Sequence, residues 1–142
     1  IFSYPIHIGQ TFSVQPNIML EQHAKIYAEQ SRIIEEMASK SDCVIVGRCA
    51  DVVLADFKPF RIFVYADLAS KMARCREKVP GERHLSDREL RQKILSVDKS
   101  RAKYYAFLTG RNWGDKLNFD LCVNTTQLVI KEIVPVLAKL FA

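Results

Sequence analysis

The chain has 142 residues, of which 49% are hydrophobic and 26% are charged. This composition predicts one compact domain, residues 1–142, with its own core, and excludes a largely disordered chain. No run of about 18 apolar residues could span a membrane, and no signal segment precedes the body. Because the first residue is Ile1 rather than Met, we expect that the amino-terminal part of the domain is missing from this sequence.

The four cysteines argue against a disulfide framework and against a zinc site. Cys43, Cys49, Cys75 and Cys122 form no C-x-x-C pair and have no regular spacing. Cys43 and Cys122 lie in apolar runs, where a free thiol behaves as a small hydrophobic side chain. We therefore predict no metal ligands and a reducing, cytoplasmic location.

The formal charge of +5 is distributed unevenly. Residues 71–103 contain eleven Lys or Arg but five Asp or Glu, so this segment holds all the excess positive charge. Such a segment indicates a polyanionic partner. Nucleic acid is the less favoured partner, because the segment has no interleaved aromatic residues and no recognisable reading motif.

The first half of the chain predicts a helix followed by two buried strands. Apolar residues recur at helical spacing from Asn17 to Ser39, with Asn17 as a plausible cap. "CVIVG", residues 43–47, and "RIFVYA", residues 61–66, are short apolar runs typical of strands buried on both faces. Asp67 then predicts the cap of a helix that ends before Pro80-Gly81.

The second half predicts a long helix, a third strand and a closing helix. "SDRE", residues 86–89, has the pattern of a capping box, and the helix that it opens runs to Gly110. "NFDLCVNTT", residues 118–126, is the third apolar strand, and residues 127–141 form a helix that contains Pro135. Helices that alternate with apolar strands predict an α/β fold with a parallel sheet.

Ligands of such sheets bind beyond the carboxyl ends of the strands. Gly47, Arg48 and residues 124–126 fall at such ends. Arg48 offers a planar fork of donors that suits a phosphate, and Gly47 allows close approach. The alternative is that Arg48 forms a simple ion pair with Asp51.

A second candidate site is "DKSR", residues 98–101, within the long helix. Helical spacing predicts that Arg91, Asp98 and Arg101 project outward together. The opposite, apolar face then carries Leu90, Ile94 and Val97. The alternative is an ordinary solvated face, on which ion pairs contribute about 0.2–0.5 kcal/mol each.

Together, "CVIVGRCADVVL", "RIFVYA" and "VDKSRAKYYAFLTGRNWGDKLNFDLCVNTT" resemble the cytidylate kinase-like family, over residues 30–126. The resemblance implies a three-layer P-loop kinase fold with a five-stranded parallel sheet and a helical, Arg-rich lid, approximately residues 75–101. It also implies ATP- and Mg²⁺-dependent transfer of the γ-phosphoryl group to a nucleoside monophosphate, with CMP or dCMP as the expected acceptor.

The resemblance also implies roles for single residues. Gly47-Arg48 is similar to a "GRD" step in which Arg holds the acceptor phosphate. Cys49 replaces the Asp of that step, and Asp51 is its candidate substitute in substrate binding. "DKSR" is similar to the lid motif D-x-x-R, so that Asp98 would meet the acceptor nucleotide and Arg101 would meet phosphates.

Four further cations have less direct counterparts in the family pattern. Arg91 and Lys93 both lie near the place of a second catalytic lid arginine. Arg74 and Arg76 resemble a basic pair at the start of the lid. The resemblance does not imply an oligomeric state.

The sequence departs from the family pattern in one respect. The phosphate-binding motif G-x-x-x-x-G-K-[ST] does not occur in these 142 residues, and its backbone amides, Lys and hydroxyl would hold ATP and Mg²⁺. We expect this portion to precede Ile1. The alternative is a catalytically inactive relative that binds nucleotide as a regulatory or interaction module.

Overall fold

A computed structural model describes residues 16–79 and 84–141, with side chains described from residue 21 onward. It divides into two compact units, the first ending at Arg48 and the second beginning at Cys49. Each unit is described by itself.

The first unit contains α1, Pro16–Lys40, which confirms the predicted first helix. Surface ion pairs one turn apart join Arg32 to Glu29 and Glu36 along its exposed side. Of its predicted apolar face, Ile34 is buried, whereas Ile26, Ile33 and Met37 are about half exposed. The apolar periodicity therefore predicted the helix correctly but overstated how much of it is buried.

The predicted strand at residues 43–47 is wrong. This segment has no regular secondary structure, and Val44 and Val46 are 95% and 88% exposed. Cys43 is also exposed, contrary to the expectation of a buried thiol. A strand needs a neighbour whose backbone satisfies its amides and carbonyls, and neither strand of the described sheet pairs with this segment.

The second unit is built on two parallel strands, β1, Ile62–Tyr65, and β2, Leu121–Asn124. Ile62 is paired with Leu121, and the register continues to Tyr65 with Asn124. The parallel pairing confirms this part of the predicted α/β fold. The sheet has two strands within the described residues, so they do not display the five strands and three layers implied by the resemblance.

Four helices precede, connect or follow these two strands along the second unit. They are α2, Ala50–Val53, α3, Leu68–Lys78, α4, Asp87–Thr109, and α5, Ile130–Ala138. The connection between β1 and β2 contains α3 and α4, as parallel pairing requires a long crossover. Neither α2 nor the short 3₁₀ turns at Ala55–Phe57 and Lys116–Asn118 were predicted.

The ends of α3 and α4 follow the predicted capping signals, whereas Asn17, predicted as a cap, lies inside α1. Asp67 accepts a hydrogen bond from the Ser70 amide at 2.7 Å, which caps α3. Ser86 and Glu89 form the full capping box of α4, and Gly110 ends that helix at φ 68°. The predicted break at Pro80-Gly81 lies outside the described residues.

In the second unit α3 packs on α4, and the most buried side chains come from α4 and from the residues that flank α2. Leu90 is fully buried, and Ile94, Tyr105, Cys49 and Leu54 are each less than 9% exposed. The side chain of Val97, predicted on this face, is 40% exposed. Cys122 on β2 is also exposed rather than buried.

Trp113 packs edge-on against Phe63 of β1, with ring centroids 5.4 Å apart. Gly114 beside it adopts φ 83°, and a Cβ atom there would lie 3.0 Å from the Phe63 ring. The Trp-Gly pair therefore packs a loop against β1.

Candidate functional site

The carboxyl edge of the strand pair is closed by hydroxyl and amide groups. The Thr125 amide and Oγ1 donate to the Tyr65 carbonyl at 2.8 and 3.0 Å, which ties the two strand ends together. Asn124 Oδ1 accepts from the Thr126 amide and hydroxyl at 3.1 and 2.7 Å. Asn124, Thr126, Gln127 and Leu128 line an open cavity of about 390 Å³. The predicted position of residues 124–126 at this edge is therefore confirmed.

Arg74 of α3 anchors the same edge. Its guanidinium donates to Thr125 Oγ1 at 3.0 Å, to the Thr125 carbonyl and to the Leu128 carbonyl at 3.5 Å. Backbone oxygens therefore engage the donors that the sequence assigned to phosphate. Binding of phosphate by Arg74 stays a prediction, and the structure gives this residue a different set of partners.

Asp98 does not project outward as predicted. Its side chain is 21% exposed, and it follows Leu90 and Ile94 at four-residue spacing, which places all three on one face of α4. Val97 shares that face by its spacing from Leu90 and Ile94, yet its side chain is 40% exposed. Spacing along α4 therefore does not distinguish Asp98 from Val97.

Lys71 of α3 neutralises Asp98, with Nζ 2.6 Å from Oδ2. The sequence analysis missed this residue. The contact joins positions 27 residues apart on two helices, and no local spacing signals a pair that exists only after the helices pack. One carboxylate oxygen of Asp98 is thus bound by Lys71 of α3, and the other oxygen is available to a residue of α4.

That other oxygen, Oδ1, accepts from Arg101 Nη1 at 3.2 Å. The Arg101 side chain is 60% exposed, so the guanidinium is oriented by Asp98 but keeps donors toward solvent. Arg91 and Lys93 are exposed on the preceding turns of α4. The predicted outward position of Arg91 and Arg101 is therefore confirmed.

Arg76 pairs with Asp87 at 2.5 Å, so the last turn of α3 contacts the first turn of α4. This pair lies at one end of the predicted lid, residues 75–101. The other end falls inside α4, which runs without interruption to Thr109. Movement of the predicted lid would therefore bend α4 or carry its last two turns as well, and the lid stays a prediction.

The turn that carries Arg48 is strained. Gly47, Arg48 and Cys49 have φ values of 74°, 59° and 53°. This region costs a residue with a side chain about 1–2 kcal/mol. Such outliers concentrate at functional sites. Within its own unit, the half-buried Arg48 guanidinium makes no hydrogen bond or ion pair with a described residue.

Cys49 follows Arg48 and begins the second unit. Burial, with a smaller contribution from the Asp51 charge, raises the pKa of its thiol to about 11. The thiol is therefore protonated at neutral pH and unreactive. It cannot supply the negative charge of the Asp that the family pattern has at this position.

The amino edge of the strand pair has a different chemistry. Arg61 and Asp120 directly precede β1 and β2, and their side chains form a two-pronged pair at 2.8 and 3.0 Å. The Arg61 amide also donates to Asp120 at 2.7 Å. The hydrogen bonds from the Arg61 side chain and amide lower the pKa of Asp120 to about 2.

Asp51 of α2 belongs to this amino edge. Its Oδ2 accepts from the Tyr105 hydroxyl at 2.6 Å. Burial and then this hydrogen bond raise the pKa of Tyr105 to about 12, so the hydroxyl stays a donor. Asp98 and Tyr105 are seven residues apart on α4, or about 10 Å along its axis. Asp51 therefore shares no hydrogen bond or ion pair with Asp98 or Arg101 among the described contacts.

The described residues display no site for Mg²⁺ or for the triphosphate of ATP. Residues 21–79 and 84–141 contain no group of three His, Cys, Asp or Glu side chains arranged to hold a metal ion. The phosphate-binding motif is absent from the 142 residues. We therefore assign no residue of this chain to either group. Within the described helices, none has the length and apolarity needed to cross a membrane.

Comparisons with known proteins give a family and similar solved structures. The model of the cytidylate kinase-like family matches residues 7–127. A crystal structure of an uncharacterized protein from Eubacterium ventriosum is similar, with a TM-score of 0.70 and 26% identity over 80% of this chain. The match covers 63% of that protein, so this chain spans less than two thirds of its length. No curated protein matches the chain.

Proposed function

Because the chain belongs to the cytidylate kinase-like family, we propose that it transfers the γ-phosphoryl group of ATP to a pyrimidine nucleoside monophosphate, with CMP and dCMP as acceptors. The observation that carries the proposal is the arrangement Lys71–Asp98–Arg101, which ends in an oriented guanidinium that is 60% exposed.

Phosphoryl transfer requires positioning and positive charge around the transferring group rather than covalent work by side chains. In the proposal, Lys71 fixes Asp98, and Asp98 aims the Arg101 fork. Arg101 then donates to the phosphoryl oxygens as charge develops on them. Arg91 and Lys93, exposed on the same helix, add positive potential that attracts the substrates.

Arg48 is proposed to bind the acceptor phosphate. A phosphate neutralises its charge and accepts two of its hydrogen bonds. The strained turn at residues 47–49 supports this role, because a costly backbone conformation persists where a side chain must be held in one direction. The hydrolysis of ATP by water would be reduced if the α3–α4 region closed over the substrates.

When bound, ATP supplies the phosphoryl group and Mg²⁺ offsets its charge. The present residues act on the acceptor and on the transferred group, and no step is assigned to a residue that would hold ATP or the metal. The alternative, a relative that binds nucleotide without turnover, shares the acceptor-binding part of this proposal.

A coupled assay of ADP release, run with the full-length protein and Mg-ATP, tests the proposal. The acceptor panel consists of CMP, dCMP, UMP and AMP, and we expect turnover with CMP and dCMP to exceed that with AMP. Single-stranded oligonucleotide should not inhibit at physiological salt, which separates a nucleotide site from general attraction of polyanions.

Equilibrium binding of CMP, measured by calorimetry, completes the test. Binding without turnover would support the inactive relative over the kinase. Neither binding nor turnover with any monophosphate would reject both.

A further inference from the structure

A second cavity lies at the amino edge of the strand pair. It encloses about 420 Å³ and is lined by Asp51, Ala55, Lys58, Pro59, Phe60, Arg61, Arg111 and Asp120. Small-molecule sites usually occupy about 300–1,000 Å³. The strands are four residues long, so about 13 Å separate this edge from the carboxyl edge.

One pair of charges in the cavity already satisfies itself. Asp120 accepts from the Arg61 guanidinium at two positions and from the Arg61 amide. The pKa of Asp120, lowered to about 2 by these bonds, keeps it ionised throughout the physiological range. This ion pair is part of the cavity wall and adds no net charge to it.

Two other cations in the wall have no such partner. The side chains of Lys58 and Arg111 are exposed and form no hydrogen bond or salt bridge with a residue of the described ranges 21–79 and 84–141. An ammonium group and a guanidinium together suit a phosphate, which accepts several charge-assisted hydrogen bonds.

The remaining groups suit the rest of an organic phosphate. Asp51 uses Oδ2 for Tyr105, and its Oδ1 accepts no hydrogen bond from the described part of the chain, so it can accept from a ligand hydroxyl. Pro59 and the half-exposed Phe60 provide an apolar wall. Phe60 is held in place by edge-on packing against Phe141 at 5.1 Å.

We propose that this cavity binds a small phosphorylated molecule that carries a hydroxyl group, of the sugar phosphate or mononucleotide class. Lys58 and Arg111 take the phosphate, Asp51 accepts from the hydroxyl, and the Arg61–Asp120 pair shapes the wall. The inference does not rest on the proposed kinase activity, because it involves neither the carboxyl edge nor α4 between Arg91 and Arg101.

Amide chemical shifts of the ¹⁵N-labelled full chain test the site without any turnover. The probes are inorganic phosphate, ribose 5-phosphate and CMP, each titrated at constant ionic strength. We expect shifts at Lys58, Phe60 and Arg111, with ribose 5-phosphate binding more tightly than inorganic phosphate. Tighter binding of CMP would assign a mononucleotide, and equal binding of CMP and ribose 5-phosphate would assign a sugar phosphate.

The matched variants are Lys58→Ala, Arg111→Ala and, as a control on the same surface, Lys116→Ala. Each of the first two should weaken ribose 5-phosphate binding about tenfold, and the control should change it less than twofold. Arg111→Glu should abolish binding, while unchanged amide shifts elsewhere show that the fold is kept.

Three results would overturn the proposal. One is a set of shifts confined to the carboxyl edge. Another is equal weakening by Lys116→Ala, which would indicate general attraction of anions by a positive surface. The last is inorganic phosphate binding as tightly as ribose 5-phosphate, because Asp51 and the apolar wall would then recognise nothing.

Discussion

Two regions of the second unit each use one arginine to hold the ends of β1 and β2 and leave another arginine exposed. On the α3–α4 side, Arg74 of α3 is bound by Thr125 at the carboxyl edge, and Arg101 of α4 is exposed. At the amino edge, Arg61 is bound by Asp120 and Arg111 is exposed. The two arginines of each region thus have opposite roles, although they carry the same charge.

The edges differ in what binds the anchoring arginine. The acceptors of Arg74 are a hydroxyl and carbonyls, which are neutral, so its positive charge persists at the carboxyl edge. The acceptor of Arg61 is a carboxylate, which cancels the charge at the amino edge. Surplus positive charge therefore remains near the proposed kinase site, where the phosphates are highly charged. At the amino edge the charges are nearly balanced, which suits the smaller anion that we propose there.

The largest expected effect comes from Arg101, the exposed arginine of α4. Arg101→Ala should lower kcat about a hundredfold, because the donor acts on charge that develops during transfer. The KM for CMP should change much less. Arg101→Lys should restore part of kcat, since an ammonium group cannot reproduce the planar fork.

Steady-state kinetics of the full chain, with Lys103→Ala as the matched control on the same helix, provide the measurement. A control with the same loss of kcat would mean that overall charge matters rather than the oriented Arg101. A rise in KM with unchanged kcat would place Arg101 in ground-state binding only.

Arg74 should act mainly on stability. Arg74→Ala removes the donors from the Thr125 and Leu128 carbonyls, and leaving such groups unpaired costs about 2 kcal/mol in the free energy of unfolding. Urea unfolding at neutral pH measures this loss. If stability were unchanged while CMP binding fell, Arg74 would be a ligand-binding residue. The distinction between an anchoring Arg74 and a substrate-binding Arg101 would then be wrong.

Arg48 allows charge and backbone strain to be separated. Arg48→Gly and Arg48→Ala both remove the guanidinium, so both should weaken CMP binding equally. Gly relieves the cost of φ 59° and Ala does not, so the Gly variant should be more stable by about 1 kcal/mol. Urea unfolding and calorimetric titration of both variants test this, and equal stability would remove the strain argument.

The smallest effect concerns the Arg61–Asp120 pair, whose side chains are about one-third exposed. Asp120 has a pKa of about 2 in the folded chain against the ordinary 3.8, so the folded state binds fewer protons. Its stabilisation is present above about pH 4 and is lost as the pH falls toward 2. Asp120→Asn should therefore reduce stability at pH 7 and flatten its decline in acid.

Urea unfolding of both proteins from pH 7 to pH 2 measures this slope. The same slope in Asp120→Asn as in the parent chain would show that other carboxylates govern acid unfolding. The amino edge would then lack the balanced pair on which the comparison depends.

Local signals in the sequence predicted much of the fold. Asp67, the Ser86–Glu89 capping box and Gly110 were read correctly because their partners lie within a few residues. The segment at residues 43–47 was read wrongly because apolar composition indicates a strand but does not supply its neighbour.

The candidate site was less predictable. Arg101 and Arg91 were placed outward correctly, but Asp98 was placed outward with them although it is partly buried in a contact with Lys71 of α3. The partners of Asp98 and Arg74 come from residues 27 and 51 positions away. Such pairs depend on the packing of helices and strands, so spacing along the chain does not reveal them.

The central claim is that Arg48 and Arg101 contact the substrate while Arg61 and Arg74 hold the strand ends. Arginine side-chain NMR signals of the full chain, followed during titration with an analogue that joins CMP to ATP, test it most directly. The account predicts shifts of the Arg48 and Arg101 guanidinium signals, with those of Arg61 and Arg74 unchanged. Shifts of Arg61 or Arg74 without any change at Arg48 and Arg101 would contradict it.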